Sequence, residues 1–369
     1  MHRKTFIQAA ALAFGCLAAS SSFAATAVES RGLKALHQAA LAEGGTLVVY
    51  AGGDTAGQQD GFKAAFEKQF PGMTLNVVVD YSKFHNARLD YQFSQNQVKA
   101  DLVMLQTLQD FPRWKAEGRL LNYKPAGWNA VYPDFKDKDG AYVGVFVDAF
   151  SNVFNTRQLS PAQIPTEMRD YLKPELKGKI VTTYPNDDDA VLYWFKLAVD
   201  KYGWDFVQQF KAQNSYFVRG TQAPADDVEA GKAAATFSTD GGLVADASAQ
   251  SRFVLPKADP FVSWAQRAAI LRQAPHPAAA KLYLNWLLDK NTQQNVWYMW
   301  SSRTDVPAPA GYKPIWQYAN TDVNGFEKFM RNREAVELFR QQITLHLGEV
   351  KGEPSPGYPG LLPTQALPH

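Results

Sequence analysis

Three consecutive aspartates, Asp187, Asp188 and Asp189, stand at the front of an amphipathic helical pattern in the stretch TTYPNDDDAVLYWFKLAVDKYG, Thr182 to Gly203. Carboxylates in a run can accept hydrogen bonds from ammonium or hydroxyl groups, or hold a hard cation. Aspartate is equally a preferred N-cap, and its charge complements the positive end of the helix dipole. Both uses fit the run, and one Asp caps the helix whatever the others do. Tyr184 precedes the helix and can stack on an apolar or cationic face. Tyr193 and Trp194 point about 100° apart on a helix, so they cannot both face one ligand.

Other side chains with usable chemistry fall at the ends of strand-like runs. Gly53, Asp54 and Thr55 follow GTLVVYAG, and the glycines there permit close backbone approach. Ser82 and Lys83 lie in YSKFHNAR, and Gln106 and Thr107 close ADLVMLQT. Arg219 in FVRGTQ offers a bidentate clamp for a carboxylate or phosphate, or a salt bridge to one of the aspartates. Thr239, Asp240 and Gly241 close ATFSTDGG. Lys83 or His85 would neutralise an anion, which opposes the cation chemistry of the aspartates. Asp54, Asp187 and Asp240 also allow a glycosidase-type acid pair, so a secreted hydrolase is the alternative of another class. The chain has no GxSxG elbow and no HExxH motif, and its single cysteine is Cys16. These absences weigh against the hydrolase, and no catalytic residue, metal or cofactor is expected.

These residues need a scaffold that brings strand ends together. GTLVVYAGG at 45–53, PGMTLNVVVDYS and ADLVMLQT read as strands, with helices over QQDGFKAAFEKQF and HNARLDYQFSQNQ between them. That alternation predicts a parallel α/β sheet, in which ligands collect at the carboxyl ends of the strands. AYVGVFVDAFSNVFN, 141–155, is an apolar stretch long enough to run from one domain into another, and 251–275 is the candidate crossing back. KPELKGKIVTTYP opens a second α/β series, continued by NSYFVRGTQ, a helix over ADDVEAGKAAA, and ATFSTDGG. HPAAAKLYLNWLLDKNTQQNVWYMW and FEKFMRNREAVELFRQQITLHLG read as helical. The Pro- and Gly-rich end, 351–369, reads as an irregular tail.

The first residues read as a secretory signal peptide over 1–24: a basic start, a short apolar run and a small-residue cleavage site after Ala24. Cys16 raises the alternative of a lipid anchor. Cleavage after Ala24 leaves no cysteine, which excludes disulfides, a thiolate zinc site and a cysteine nucleophile. It also removes Arg3 and Lys4, leaving a near-neutral chain with no polyanion-binding character and no nucleic-acid partner.

In order and spacing, the landmarks LVVYAGG, ADLVMLQT, EGRLL, GVFVDAFSNVFNT, LKPELKGKIV, LAVDKYGWDFVQQFKAQ, DDVEAGKAAATFSTDGG and HPAAAKLYLNWLLDKNTQQNV resemble the extracellular solute-binding proteins of ABC importers, family 1, in the ferric-iron-binding-like branch. The resemblance covers about residues 45–297. It implies a type II periplasmic-binding fold, with two α/β lobes joined by a two-strand hinge. The expected lobes are 25–146 plus about 252–290, and 147–251 plus about 291–350. It further implies a monomeric periplasmic receptor that delivers its solute to an inner-membrane ABC permease.

Metal-binding members of that family hold iron with two adjacent tyrosines in the second lobe. The matching place here carries Thr239, Asp240 and Gly241, and Asp54 stands near where some members place a histidine. Many relatives bind an anion at a helix N-terminus, and the corresponding helix here begins at PNDDD, whose carboxylates would repel one. The expected solute is a polar organic molecule (sugar, sugar phosphate or amine), ahead of a free anion or ferric iron.

Overall fold

The computed structural model describes residues 25–357 apart from 245, 297 and 298; the expected signal peptide with Cys16 and the tail beyond 357 lie outside the described residues. Three buried, largely apolar runs form parallel strands: β1 (Thr46–Gly52) lies between β2 (Thr74–Asp80) and β3 (Leu102–Leu105). Helix α1 (Leu33–Ala42) precedes them, and α2 (Asp60–Gln69) and α3 (Ser82–Ser94) connect them. Helix α3 starts three residues before His85, because Phe84 and His85 already donate their N–H groups to Tyr81 O. Helix α4 (Asp110–Ala116) follows β3.

The sheet is completed by strands far along the chain. β4 (Val143–Asn155) is thirteen residues long and buried along nearly its whole length. Its first part runs antiparallel to the later strand Val262–Ile270, which is itself antiparallel to β3. Beyond Ser151, after a register shift, β4 pairs instead with strands Ala235–Thr239 and Ser251–Val254. One strand therefore serves both lobes. The expected parallel order holds for β1 to β3, while the crossing strands are antiparallel.

In the second lobe, β5 (Val181–Thr183) and β6 (Tyr216–Val218) form a short parallel pair, and β7 (Ala235–Thr239) and β8 (Ser251–Val254) lie on β4. Helix α5 (Asp189–Tyr202) ends at Gly203, whose φ of +75° suits glycine, and α6 (Trp204–Lys211) and α7 (Gln222–Glu229) follow. Strand β9 (Val262–Ile270) leads to α8 (Pro277–Leu287), α9 (Lys290–Asn295) and the short β10 (Trp300–Ser301) on β4. The expected single helical run over 276–300 breaks where Asp289 caps α9 through Asn291 N at 3.0 Å. The last run splits likewise into α10 (Gly325–Arg331) and α11 (Arg333–Leu347), with the Asn332 side chain accepting from Ala335 N.

Two separate cores hold the lobes. Leu47, Val49, Phe66, Tyr283, Trp286, Trp300 and Ile315 belong to the first, and Phe195, Phe206, Phe210, Phe237, Phe326 and Val336 to the second. Residues around 300–318 thus pack with the first core, and α10 and α11 with the second. Tyr193 stacks on Phe329, and Trp194 stacks on Phe237 at 3.7 Å, so both belong to the second lobe's interior. Among the described residues no helix is long and apolar enough to cross a membrane.

Candidate functional site

A cavity of about 290 Å³ lies between the lobes, at the carboxyl ends of β1, β2 and β3. One wall comes from those ends: Gly52, Gly53 and Asp54; Tyr81, Ser82 and Lys83; Gln106 and Thr107. Gly52 is required here, since a Cβ would stand 2.2 Å from Ser82 Oγ, and that oxygen accepts from Gln106 N at 3.0 Å. The opposite wall comes from Asp187, Asp188 and Asp189, the turn Gly220–Gln222, and Asp240 at the end of β7.

The floor is the crossing pair of strands. Side chains alternate along a strand, so Phe146, Asp148 and Phe150 share one face of β4, and all three line the cavity. Across the ladder Gln266 lies opposite Phe146 and Trp264 opposite Asp148, which sets the Asp148 and Trp264 Cβ atoms about 4.5–5.5 Å apart. The Trp264 ring meets Phe150 edge-on at 5.0 Å, and its indole N–H donates to Gln266 Oε1 at 3.1 Å.

Six aspartates and one lysine line the cavity. Their partners divide them sharply. Asp187 accepts from Arg219 Nε at 2.7 Å and Nη2 at 3.0 Å, and pairs with Lys83, whose ammonium also donates to Asp187 O at 2.7 Å. Burial alone would raise Asp187, but the Arg219 bonds and the Lys83 charge outweigh it and hold the carboxyl below its ordinary value. Asp189 pairs with Arg340 at 2.7 Å. Asp188 is the N-cap of α5, accepting from Ala190 N and Val191 N at 2.9 Å each, although burial pushes its carboxyl up to about 7. Asp54 reaches across the cleft to the start of α7, accepting from Thr221 N and Oγ1 at 2.8 Å each and Gln222 N at 3.0 Å. Burial raises it above the ordinary carboxylate value.

Asp148 and Asp240 are different. Among the described residues no donor reaches the Asp148 carboxylate, and Asp240 has its own backbone N–H and a 3.5 Å contact from Thr239 Oγ1. Burial, with the charge of Asp240, holds Asp148 well above its ordinary value; burial, with the charge of Asp54, raises Asp240.

These pairings occupy the groups that would otherwise hold an anion. Lys83, expected to neutralise an anion, is engaged by Asp187, and Arg219 takes the second of its two expected roles, the salt bridge to one of the aspartates. The N-termini of α5 and α7, where backbone N–H groups would hold a phosphate, are filled by Asp188 and Asp54. His85 does not face the cavity: it is buried, bonds Ala51 O and Val78 O through Nε2, and is driven down to about 3 by burial and by Arg88. Its neighbour Arg88 is buried and bonded to Asp80 at 2.5 Å.

Of the residues expected from the sequence, Gly53, Asp54, Ser82, Lys83, Gln106, Thr107, Asp187, Asp188 and Asp240 line the cavity. Thr55, Tyr184, Arg219, Thr239 and Gly241 do not. Tyr184 stacks instead on Phe217 at 5.3 Å, and Arg219 stands behind Asp187. The floor residues Phe146, Asp148, Phe150, Trp264 and Gln266 went unread, although a lone aspartate at the second position between two phenylalanines in an apolar crossing strand was a usable signal. Among the described residues no group of three or more acidic, His or Cys side chains is arranged to hold a metal ion.

The tail also reaches the cleft. Gly352 O accepts from Arg219 Nη1 at 3.0 Å, Ser355 N donates to the Tyr81 hydroxyl at 3.1 Å, and Ser355 Oγ donates to Arg219 O at 3.1 Å. Residues 351–357 carry no helix or strand, as expected, yet they strap Tyr81 of one lobe to Arg219 of the other.

Comparison with known proteins agrees with this architecture. The model of the bacterial extracellular solute-binding protein family matches residues 98–317. No curated protein sequence matches the chain. The fold is shared with the substrate-binding protein of an ABC transporter from Agrobacterium tumefaciens (TM-score 0.70, 14% identity, 82% of this chain and 94% of that one). It is shared too with AfuA from Actinobacillus pleuropneumoniae, solved with fructose-6-phosphate (0.65, 18%, 82% and 98%). Iron-bound HitA from Pseudomonas aeruginosa is a third (0.62, 14%, 81% and 99%). With a type II periplasmic-binding fold and a family match over more than half its length, the chain belongs to the bacterial extracellular solute-binding proteins.

Proposed function

We propose that the protein is a monomeric periplasmic receptor, exported by a signal peptide over 1–24, that closes two lobes around a small polar organic solute and delivers it to an inner-membrane permease. The observation that carries this reading is the cavity itself, walled by strand ends of one lobe and helix starts of the other and floored by the strands that join them. The packing of the two cores supports lobes of about 25–150 plus 262–318, and about 151–254 plus 320–350. The proposed solute contacts are the nine expected lining residues together with Asp148, Trp264 and Gln266.

Engagement of Lys83, Arg219 and both helix starts by the protein's own carboxylates favours a neutral or cationic solute over a phosphate or sulfate. The same engagement argues against an acid-pair hydrolase, because Asp54 is bonded to the start of α7 and Asp187 to two cations. Native mass spectrometry of protein taken undenatured from a periplasmic fraction tests the reading. The expected result is a bound small molecule that is lost on unfolding, with a larger radius of gyration for the stripped protein. Empty protein whose radius does not respond to any solute in a broad library would overturn it.

A further inference from the structure

Each carboxylate of the cleft can be followed to a partner except two. Asp187 and Asp189 have cations, and Asp188 and Asp54 have helix N-termini, while Asp148 and Asp240 have no strong donor among the described residues. Both line the cavity, one from the floor and one from the second lobe's wall. Both residues are partly exposed, and a carboxylate without a strong donor becomes costly once closure around a solute takes it out of water. Here the missing donor has a place to come from. The Gln59 side-chain oxygen, also lining the cavity and 8% exposed, likewise meets no donor among the described residues. The Thr107 hydroxyl, also lining the cavity, is likewise unpartnered among the described residues, so the acceptors that stand without a strong donor are Asp148, Asp240 and the Gln59 oxygen.

The surface around Asp148 is aromatic. Phe146 and Phe150 flank it along β4 and Trp264 stands opposite. Sugar hydroxyls need paired donors and acceptors, whereas an ammonium group needs acceptors and gains from an adjacent ring face. A metal ion would need converging oxygens, and no such group is present among the described residues.

We propose that the cleft binds an organic ammonium ion, its cationic group held between Asp148 and Asp240 and its carbon body against Phe146, Phe150 and Trp264. This rests on the receptor reading and names the solute class. A diammonium solute matches best, since it answers both free carboxylates.

The test is calorimetric titration of ligand-stripped protein with 1,4-diaminobutane, n-butylamine and choline, beside the neutral isostere 1,4-butanediol, glucose and glucose 6-phosphate. Saturable binding of at least one ammonium compound is expected, with butanediol at least about 100-fold weaker than diaminobutane, as two charge-assisted bonds of about 1.5 kcal/mol each require. Asp148→Asn and Asp240→Asn should each weaken that binding by tenfold or more. Their ligand-free melting temperatures should hold or rise, because a carboxylate without a strong donor has been replaced by a neutral amide; a merely structural role would lower them. Binding should release protons, read as a dependence of the heat on buffer ionisation. Tight binding of glucose, butanediol or glucose 6-phosphate that survives Asp148→Asn would overturn the ammonium assignment and leave the receptor reading intact. Failure of all three ammonium compounds also overturns it, while a different solute recovered by mass spectrometry would keep the receptor reading standing.

Discussion

Replacing Asp54 by alanine tests whether the lobes are held together by the protein itself. The Asp54 carboxylate leaves the end of β1 and accepts three hydrogen bonds from Thr221 and Gln222 at the start of α7. Loss of an N-cap costs about 0.5–2 kcal/mol, and a bond to a charged acceptor about 1.5–3 kcal/mol. Against this stands the burial that raises the Asp54 carboxyl. A net of about 1–2 kcal/mol remains, a change of about 5- to 30-fold in the ratio of closed to open protein. Because the contact joins two lobes, its loss should change their separation rather than their folding.

Residues 25–369 contain no cysteine, so nitroxide labels can be placed at Lys68→Cys on α2 and Lys211→Cys on α6, both exposed. Pulsed electron resonance on ligand-free protein should show a longer or broader distance distribution in Asp54→Ala than in the parent, with little change in melting temperature. Asp54→Asn, which keeps one acceptor, should fall between. An unchanged distribution with a large melting-temperature loss would refute the reasoning and make Asp54 an ordinary structural cap.

Three further outcomes follow from the same structure. Asp188 is raised from 3.8 to about 7, so the folded state binds more protons than the unfolded one between those values, and ligand-free stability should fall as pH rises through that window. Asp187, held low by Arg219 and Lys83, acts oppositely and loses its contribution only as pH falls below the ordinary carboxylate range. Melting temperature should therefore be higher at pH 5 than at pH 8, and a monotonic rise with pH contradicts the assignment. Trp286→Ala removes a fully buried ring that meets Phe66 edge-on and donates to Gln69 Oε1 at 2.9 Å; a loss of about 3–5 kcal/mol in denaturant unfolding is expected. Truncation after Val350 deletes the strap between Tyr81 and Arg219 and should speed solute release several-fold by stopped-flow tryptophan fluorescence, with the melting temperature nearly constant.

Much of the frame was legible because it rests on local pattern. β1, β2 and β3 are compact apolar runs separated by helical spacing, and each ends within two residues of a cavity-lining side chain. The triple aspartate read correctly as helix start, with Asp188 the cap. What could not be read was partnership across distance. For Arg219 the sequence offered both an anion clamp and a salt bridge to the aspartates, and nothing local chose between them until Asp187 is seen between Arg219 and Lys83. Tyr184 looked available because nothing local says that Phe217 lies beneath it. Asp148 was hidden by its setting: an apolar crossing strand reads as interior, and only the register with β9 turns its Phe146–Asp148–Phe150 face toward the cavity.

The shared strand β4 also governs how the chain can assemble. A chain emerging from its N-terminus has made β1, β2 and β3 by residue 105, but β3 must wait for β9 at 262–270 before its free edge is paired. During that interval Leu102–Leu105 presents an open, wholly apolar edge, the kind of surface that seeks another chain. Closing such distant pairs is slow, because the loop entropy must be met before the contacts form. The early part of the sequence therefore cannot become a finished lobe on its own, and folding is deferred until most of the polypeptide exists.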